Sequence, residues 1–312
     1  MAKARLKGSP RNPSPAIPSV YTGYLWVLPL ELTTVNINEM HCLRYLLPLA
    51  FLLVLPGCAQ PPDLLVMGWN VESGGHSKTD RTQGNSPKVI AKTIADFQGY
   101  DIIGLCEVHP NNIAKYVQAA GVGEGSRFKD VIGSTGAGDR LMIMFDSDRL
   151  DLVESKELHH LNNGNHRSPL VGHFKIKEGG IEFFFMVNHL ARGDSNLRRR
   201  QATGLSKWAD SESLPIIAAG DFNFDYSLDD QKGNKAMKRM LSGNVFEWVK
   251  PAQLIKTNAS RYNSILDFIF VANRPDTWKI ASEILTAGFP FPDTNKTSDH
   301  RPVIARIYIP DP

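Results

Sequence analysis

The sequence predicts a layered α/β sandwich, and three observations predict it. Short apolar runs rich in β-branched and aromatic residues recur from Leu64 to Ile309, helical stretches separate only some of them, and no repeat or second linker interrupts the series. The runs are Leu64–Trp69, Ile102–Cys106, Leu141–Phe145, Leu170–Ile176, Ile181–Val187, Ile216–Ala219, Ile265–Val271 and Val303–Ile309. Several are apolar at almost every position, as strands covered on both faces are. Strands outnumber helices, so the expectation is one α/β domain of about 250 residues.

Each helix has its own signal. Pro87–Phe97 puts Val89, Ile90, Ile94 and Phe97 on one side, with Asn85 or Ser86 as N-cap. Asn112–Ala120, Leu197–Ala209 and Asp230–Leu241 show similar, weaker patterns. The stretch from Leu141 to Ile181 and the C-terminal third look hairpin-like, with Gly179-Gly180 a turn. Trp69, Cys106 and Phe222 lie within or beside apolar runs and are expected in the core.

Polar motifs stand at the ends of these runs: Trp69-Asn70-Val71-Glu72, Cys106-Glu107, Asn188-His189-Leu190, Gly220-Asp221-Phe222-Asn223, Leu266-Asp267-Phe268 and Ser298-Asp299-His300. Strand ends deliver side chains to one rim of a sheet, so histidines, carboxylates and asparagines placed there form one reactive set. No Ser or Cys nucleophile signature competes with them. Hydrolysis of a phosphodiester at neutral pH requires a deprotonated water, neutralised phosphoryl oxygens and a stabilised leaving oxygen. Hard oxygen ligands hold Mg²⁺ or Mn²⁺, with Ca²⁺ also open, and Glu107 and Asp299 are the candidate ligands. His109, His159, His160 and His166 fit no metal-ligand spacing and are expected at the surface, and Arg198-Arg199-Arg200 is either a phosphate-contacting patch or a solvated face.

In this order the motifs resemble the endonuclease/exonuclease/phosphatase superfamily typified by deoxyribonuclease I, over Leu64 to Ile309. The resemblance implies a four-layer sandwich, two packed mixed β-sheets flanked by helices. It implies that Asn70 lies near metal and scissile phosphate, that Glu107, Asp299 and Glu72 belong to the metal site, and that Asp221 and Asn223 align the attacking water and hold a phosphate oxygen. His300 would contact the phosphate or share the proton transfer, with Asp267 orienting it. His189 matches the second catalytic histidine of the deoxyribonuclease-like branch, with Asp139 of the Asp139-Arg140 pair as its candidate partner, one methylene shorter than the glutamate of that branch. Arg167-Ser168-Pro169 is similar to the segment whose arginine holds a substrate phosphate.

The N-terminus carries separate signals. Residues 1–39 read as disordered, or as a start codon placed too early, and residues 40–57 as a signal peptide resembling those of bacterial lipoproteins, with Cys58 as the lipidated cysteine. The expected domain is residues 58–312, a monomer in the bacterial cell envelope, tethered to a membrane through Cys58. Five of the 35 Lys/Arg and two of the 32 Asp/Glu lie in residues 1–57, which leaves 30 of each beyond. Phosphate attraction must then come from local patches rather than a global field. Three function classes stay open at this point: an exported endonuclease acting on DNA or RNA, a phosphatase or phospholipase C-type enzyme acting on inositol phosphates or phospholipids, and a non-catalytic surface-binding lipoprotein.

Overall fold

Alternation along the central strands divides the interior in two. In β1 (Leu64–Asn70), Leu64 and Val66 enter one hydrophobic cluster while Met67 and Trp69 enter another. β2 (Ile102–Val108) repeats this, with Ile102 and Cys106 on one side and Ile103, Leu105 and Val108 on the other. Side chains that point to opposite faces of a strand serve two different layers. The chain is described here by a computed structural model over residues 64–72, 86–122, 127–162, 166–259, 262–286 and 297–310. Cys58 and the expectations for residues 1–57 lie outside the described residues.

The first sheet has the order β11-β12-β1-β2-β4-β3 and the second β5-β6-β7-β8-β10-β9. The remaining strands are β3 (Phe128–Ile132), β4 (Arg140–Asp146), β5 (Leu150–Glu157), β6 (Leu170–Ile176), β7 (Glu182–His189), β8 (Ile216–Ser227), β9 (Phe246–Trp248), β10 (Ser264–Ala272), β11 (Lys279–Ile284) and β12 (Val303–Tyr308). β1/β2 and β7/β8 are parallel pairs and the other pairs are antiparallel, so both sheets are mixed. The inner faces pack on each other through residues such as Val66, Ile143, Phe185, Val187, Ala219 and Ile269. α1 (Pro87–Ala95) and α2 (Ile113–Ala120) cover the outer face of the first sheet through Ile90, Ile94 and Tyr116. α3 (Ser195–Ser211) and α4 (Lys235–Met240) carry Ala202, Leu205, Ala236 and Met237 into the cluster of the second. The result is the four-layer sandwich of two mixed sheets flanked by helices that the resemblance implies.

Four strands have no counterpart among the sequence runs, and all four are sheet edges: β3, β11, β5 and β9. β5 shows why, since most of its residues are exposed and it reads as polar. An edge strand needs no continuous apolar face. The hairpin reading of Leu141–Ile181 is corrected in one respect. β4 and β5 belong to different sheets, whereas β5, β6 and β7 form an antiparallel series, with Gly179 (φ 80°) and Gly180 (φ 68°) in the β6–β7 turn. β8 runs past Ala219 to Ser227, and α4 starts at Lys235 rather than Asp230 because Asn234 caps it, accepting from the Ala236 and Met237 N–H groups.

Candidate active site

The carboxyl ends of the two parallel pairs converge, and each brings a polar group to the same rim. Asn70 and Glu107 end β1 and β2 in the first sheet, while His189 and Asp221 are register partners on β7 and β8 in the second. Asp267 of β10 pairs with Asp221 from the other side. Two irregularities re-aim side chains here. Between Leu105 and Val108 β2 has two residues, Cys106 and Glu107, opposite Leu141 alone. Between Asp221 and Tyr226 β8 bulges by four residues against Leu266, which projects Asn223. Glu72 (φ 43°), Glu107 (φ 60°) and Asn223 (φ 51°) all hold left-handed backbone, which costs an ordinary residue about 1–3 kcal/mol and gathers at functional sites. Gly220 (φ 124°) is required to be glycine, because a Cβ there would stand 2.2 Å from the Asn188 carbonyl oxygen.

Asp221 Oδ2 is the hub. It lies 3.5 Å from His189 Nε2 and 3.9 Å from His300 Nε2, and accepts from Asn70 Nδ2 at 3.3 Å. The same Asn70 amide donates to Glu107 Oε1 at 3.0 Å, and its Oδ1 accepts from the Glu72 N–H. Asn70 therefore ties a carboxylate of one sheet to a carboxylate of the other. Asn223 is fixed through its N–H to Asp221 Oδ1 and its Nδ2 to the Leu190 carbonyl. Glu72 Oε2 accepts the Asp299 N–H, so Glu72 orients the Asp299 segment.

His300 Nδ1 meets Asp267 Oδ2 at 2.7 Å, with both side chains buried. Burial works to lower the proton affinity of the ring, but the Asp267 charge and hydrogen bond, reinforced by Asp221 and Asp299, outweigh it and hold His300 well above the ordinary histidine range. Burial first, then the Asp267 and Glu107 charges, push Asp221 up to about 7, although His300 and the Asn223 N–H act against the shift. Asp299 is raised mainly by burial, with Glu107 and Asp267 adding to it against His300 and Arg192. A carboxylate whose proton affinity is matched to neutral pH, ionised in part and still basic enough to take a proton from water, is what a water-activating group requires.

His189, Asp139 and Glu107 each place a ligand atom within 4.8 Å of the others. Asp139 and His189 thus come together, but Asp139 Oδ2 takes its 2.6 Å bond from Arg167 Nη1. Asp139 orients Arg167 at least as directly as it orients His189. The loop that carries this pair is held in turn, since Thr135 Oγ1 accepts the Ser168 N–H and donates to Glu157. Asp221, Asp267 and His300 form a second group of the same span.

Hard carboxylates without thiolate suit a magnesium-like cation, and the like charges of Glu107 and Asp299 supply the physical reason for one. The Glu107 charge raises the proton affinity of Asp299, and a divalent cation held by such carboxylates offsets that repulsion, although the ligand group that includes Glu107 is completed by Asp139 and His189 and not by Asp299. The residues present fit such an ion.

Residues around the catalytic groups hold them in place. Trp69 is core, as expected, yet its Nε1 also donates to the His300 carbonyl at 3.1 Å. Ser298 Oγ donates to the Asn70 carbonyl at 2.6 Å and accepts the His300 N–H, a short-range Ser-x-His turn that the motif itself announces. Thr257 Oγ1 accepts the Leu266 and Asp267 N–H groups, and nothing in its local sequence points to this. Cys106 is buried, its thiol pushed well up by burial, and Sγ donates to the Asn188 carbonyl. His159 and His160 are exposed and His109 and His166 half-buried, and none of the four belongs to either group of ligands.

A two-sheet sandwich with carboxylates, imidazoles and amides gathered at the shared ends of its parallel strands defines a hydrolase of phosphoester bonds. Residues 67–300 match the Endonuclease/Exonuclease/phosphatase family, and the chain belongs to it. Solved structures share the fold. A mannosyl-6-phosphatase of Bacteroides thetaiotaomicron is 21% identical over 79% of this chain and 100% of its own, with a TM-score of 0.61. The human Nocturnin catalytic domain with bound sulfate is 18% identical over 79% and 93%, with a TM-score of 0.57. D. rerio TDP2 complexed with a single-strand DNA product is 19% identical over 79% and 99%, with a TM-score of 0.58. No curated protein matches the chain in sequence.

Proposed function

We propose that this phosphoester hydrolase is a divalent-metal-dependent nuclease that cleaves phosphodiester bonds of DNA or RNA, exported and held in the bacterial cell envelope through lipid on Cys58. One observation carries the catalytic part: Asp221 Oδ2 stands between the Nε2 atoms of two histidines, at 3.5 and 3.9 Å. A diester with a poor leaving group requires one group to accept a proton from water and another to return one to the departing alkoxide. Asp221, raised to about 7, accepts the water proton at Oδ2, and Asn223 fixes its orientation. His300, kept protonated by Asp267, donates from Nε2 to the phosphoryl group or its leaving oxygen. His189 shares this work from the opposite side, and Arg167, oriented by Asp139, holds a phosphate oxygen. Glu107 and Asp299 would hold Mg²⁺ or Mn²⁺, which when bound neutralises the charge growing on the phosphoryl oxygens.

The test is turnover with Mg²⁺, Mn²⁺ or EDTA on plasmid DNA, RNA, bis-p-nitrophenyl phosphate, sphingomyelin and mannose 6-phosphate. Metal-dependent nicking supports the reading. Nicking that survives EDTA, or no diester cleaved at all, overturns it. A second reading is favoured by the likeness to the Bacteroides enzyme named as a phosphatase. It predicts phosphate release from the sugar monoester in excess of any diester cleavage.

A further inference from the structure

Six cations line a groove of about 1360 Å³ between the helices outside the second sheet: Arg199, Arg200 and Lys207 on α3, and Lys235, Lys238 and Arg239 on α4. Among the described residues no acidic side chain lines it, and none of the six makes an ion pair within 4.0 Å. Beyond residue 57 acidic and basic residues are equal in number, so this is a local concentration of charge and not part of a general field.

Both walls of the groove are fastened to the catalytic rim. Arg198, buried on α3, donates to the Ala191 and Arg192 carbonyls at 2.7 Å each, and Gln201 Oε1 accepts the Ala191 N–H, two residues beyond His189. Arg198 is therefore a structural latch, while its neighbours Arg199 and Arg200 face the groove. Asn234, the cap of α4, donates to the Asn223 carbonyl at 2.9 Å and to Asp225. The groove is thus bounded by the helices that follow His189 and Asn223 in the chain.

The geometry points to this groove as a binding track for the phosphate backbone of a nucleic-acid strand whose scissile bond lies at the rim. The inference rests on the nuclease reading and extends it from a bond to a polymer. Arg200 and Lys207 are seven positions apart on α3, about 10 Å along a helix axis, longer than one phosphate group, so the cations of this wall meet successive phosphates of a strand. The volume exceeds the roughly 300–1,000 Å³ of pockets that enclose small ligands, and a lone sugar phosphate engages few of six cations. A membrane surface is a poor occupant. The groove is concave, and the large apolar side chains exposed among the described residues, Val122, Val153 and Tyr262, lie outside it. Among the described residues no aromatic ring lines the groove either, so the track reads charge and not bases.

The test uses Lys207→Gln/Lys238→Gln/Arg239→Gln, all exposed helix positions, and a fluorescent 12-nucleotide single strand titrated in EDTA at 50 and 200 mM salt. Six single-strand phosphate contacts give a log–log salt slope of about −4, a loss of about 300-fold in affinity over that range. The variant should show a slope of about −2 and a loss of about 20-fold, with bis-p-nitrophenyl phosphate turnover unchanged. Equal slopes in wild type and variant overturn the inference. So does a variant that loses binding to phosphatidylserine vesicles while its oligonucleotide affinity is intact, which would make the face a membrane contact. If wild type binds the strand with the expected slope but hydrolyses no diester, the track stands and the nuclease reading falls.

Discussion

Asp221→Asn should make the protein more stable and inactive at once. Asp221 is buried, and its carboxyl titrates at about 7 against an ordinary 3.8, chiefly because burial and the Asp267 charge oppose ionisation. A folded-state pKa raised by about 3 means that folding holds the proton more tightly than the unfolded chain does. Stability is then greatest below the unfolded value and falls as pH rises from about 4 to about 7, by about 4 kcal/mol in all. The asparagine never ionises and avoids that loss. It gives up part of that gain, because a single amide oxygen cannot accept from both Asn70 Nδ2 and the Asn223 N–H as the two carboxylate oxygens do, a cost of about 1–2 kcal/mol. The net expectation at pH 7 is about 2 kcal/mol in favour of the variant, or roughly 4–8 °C in melting temperature for a domain of this size. Melts in EDTA from pH 4 to 6.5 check it, since no cation then compensates the carboxylates. His300 is present in both proteins, so the pH dependence it adds near pH 6.5 is common to both and drops out of the gap. The gap between variant and wild type should widen steadily with pH. A gap that stays flat from pH 4 to 6.5 would show that Asp221 is ionised throughout, and the reasoning about its proton would fail.

Three more outcomes are expected. His189→Ala, and His300→Ala combined with Asp267→Asn so that no buried charge is stranded, should each lower kcat about 10³–10⁴-fold with the far-ultraviolet circular dichroism retained; an unchanged rate refutes the site. Gly220→Ala should cost at least about 3 kcal/mol, because its Cβ would meet the Asn188 carbonyl oxygen, and a melting temperature within a degree of wild type contradicts the close approach of β7 and β8. Cys58→Ser should move the protein from the membrane to the soluble fraction, and persistence in the membrane pellet removes the lipid anchor from the proposal.

What could be read from the chain beforehand divides along physical lines. The central strands were legible because burial on both faces demands apolar residues throughout, as in β10, where Ser264–Ala272 are all buried. β3, β5, β9 and β11 were not, since an edge strand is defined by a partner far along the chain and leaves much of its surface in water. The catalytic groups were legible as types because Asp221 and His300 follow an apolar run or a turn in the sequence, although β8 continues beyond Asp221 to Ser227. Their pairings were less so. That Asn70 joins Glu107 to Asp221, or that Asp139 holds Arg167, depends on how two sheets face each other, and no local pattern encodes it. Arg198, Arg199 and Arg200 look alike in sequence, yet one is a buried latch and two face the groove, a distinction set by the helical turn.

The Asn70 amide that spans the two sheets has a consequence for how the protein fails. A reactive centre assembled by one layer alone could persist while the layers slide or swell apart. This one cannot, because Glu107 comes from one sheet and His189 and Asp221 from the other, and a separation of an ångström or two breaks the 3.0 and 3.3 Å contacts that join them. Under mild acid or denaturant, turnover should therefore vanish while the strands and helices are still formed. Enzymatic rate becomes a sensitive gauge of tertiary closure, an early warning that spectroscopy of the backbone would miss.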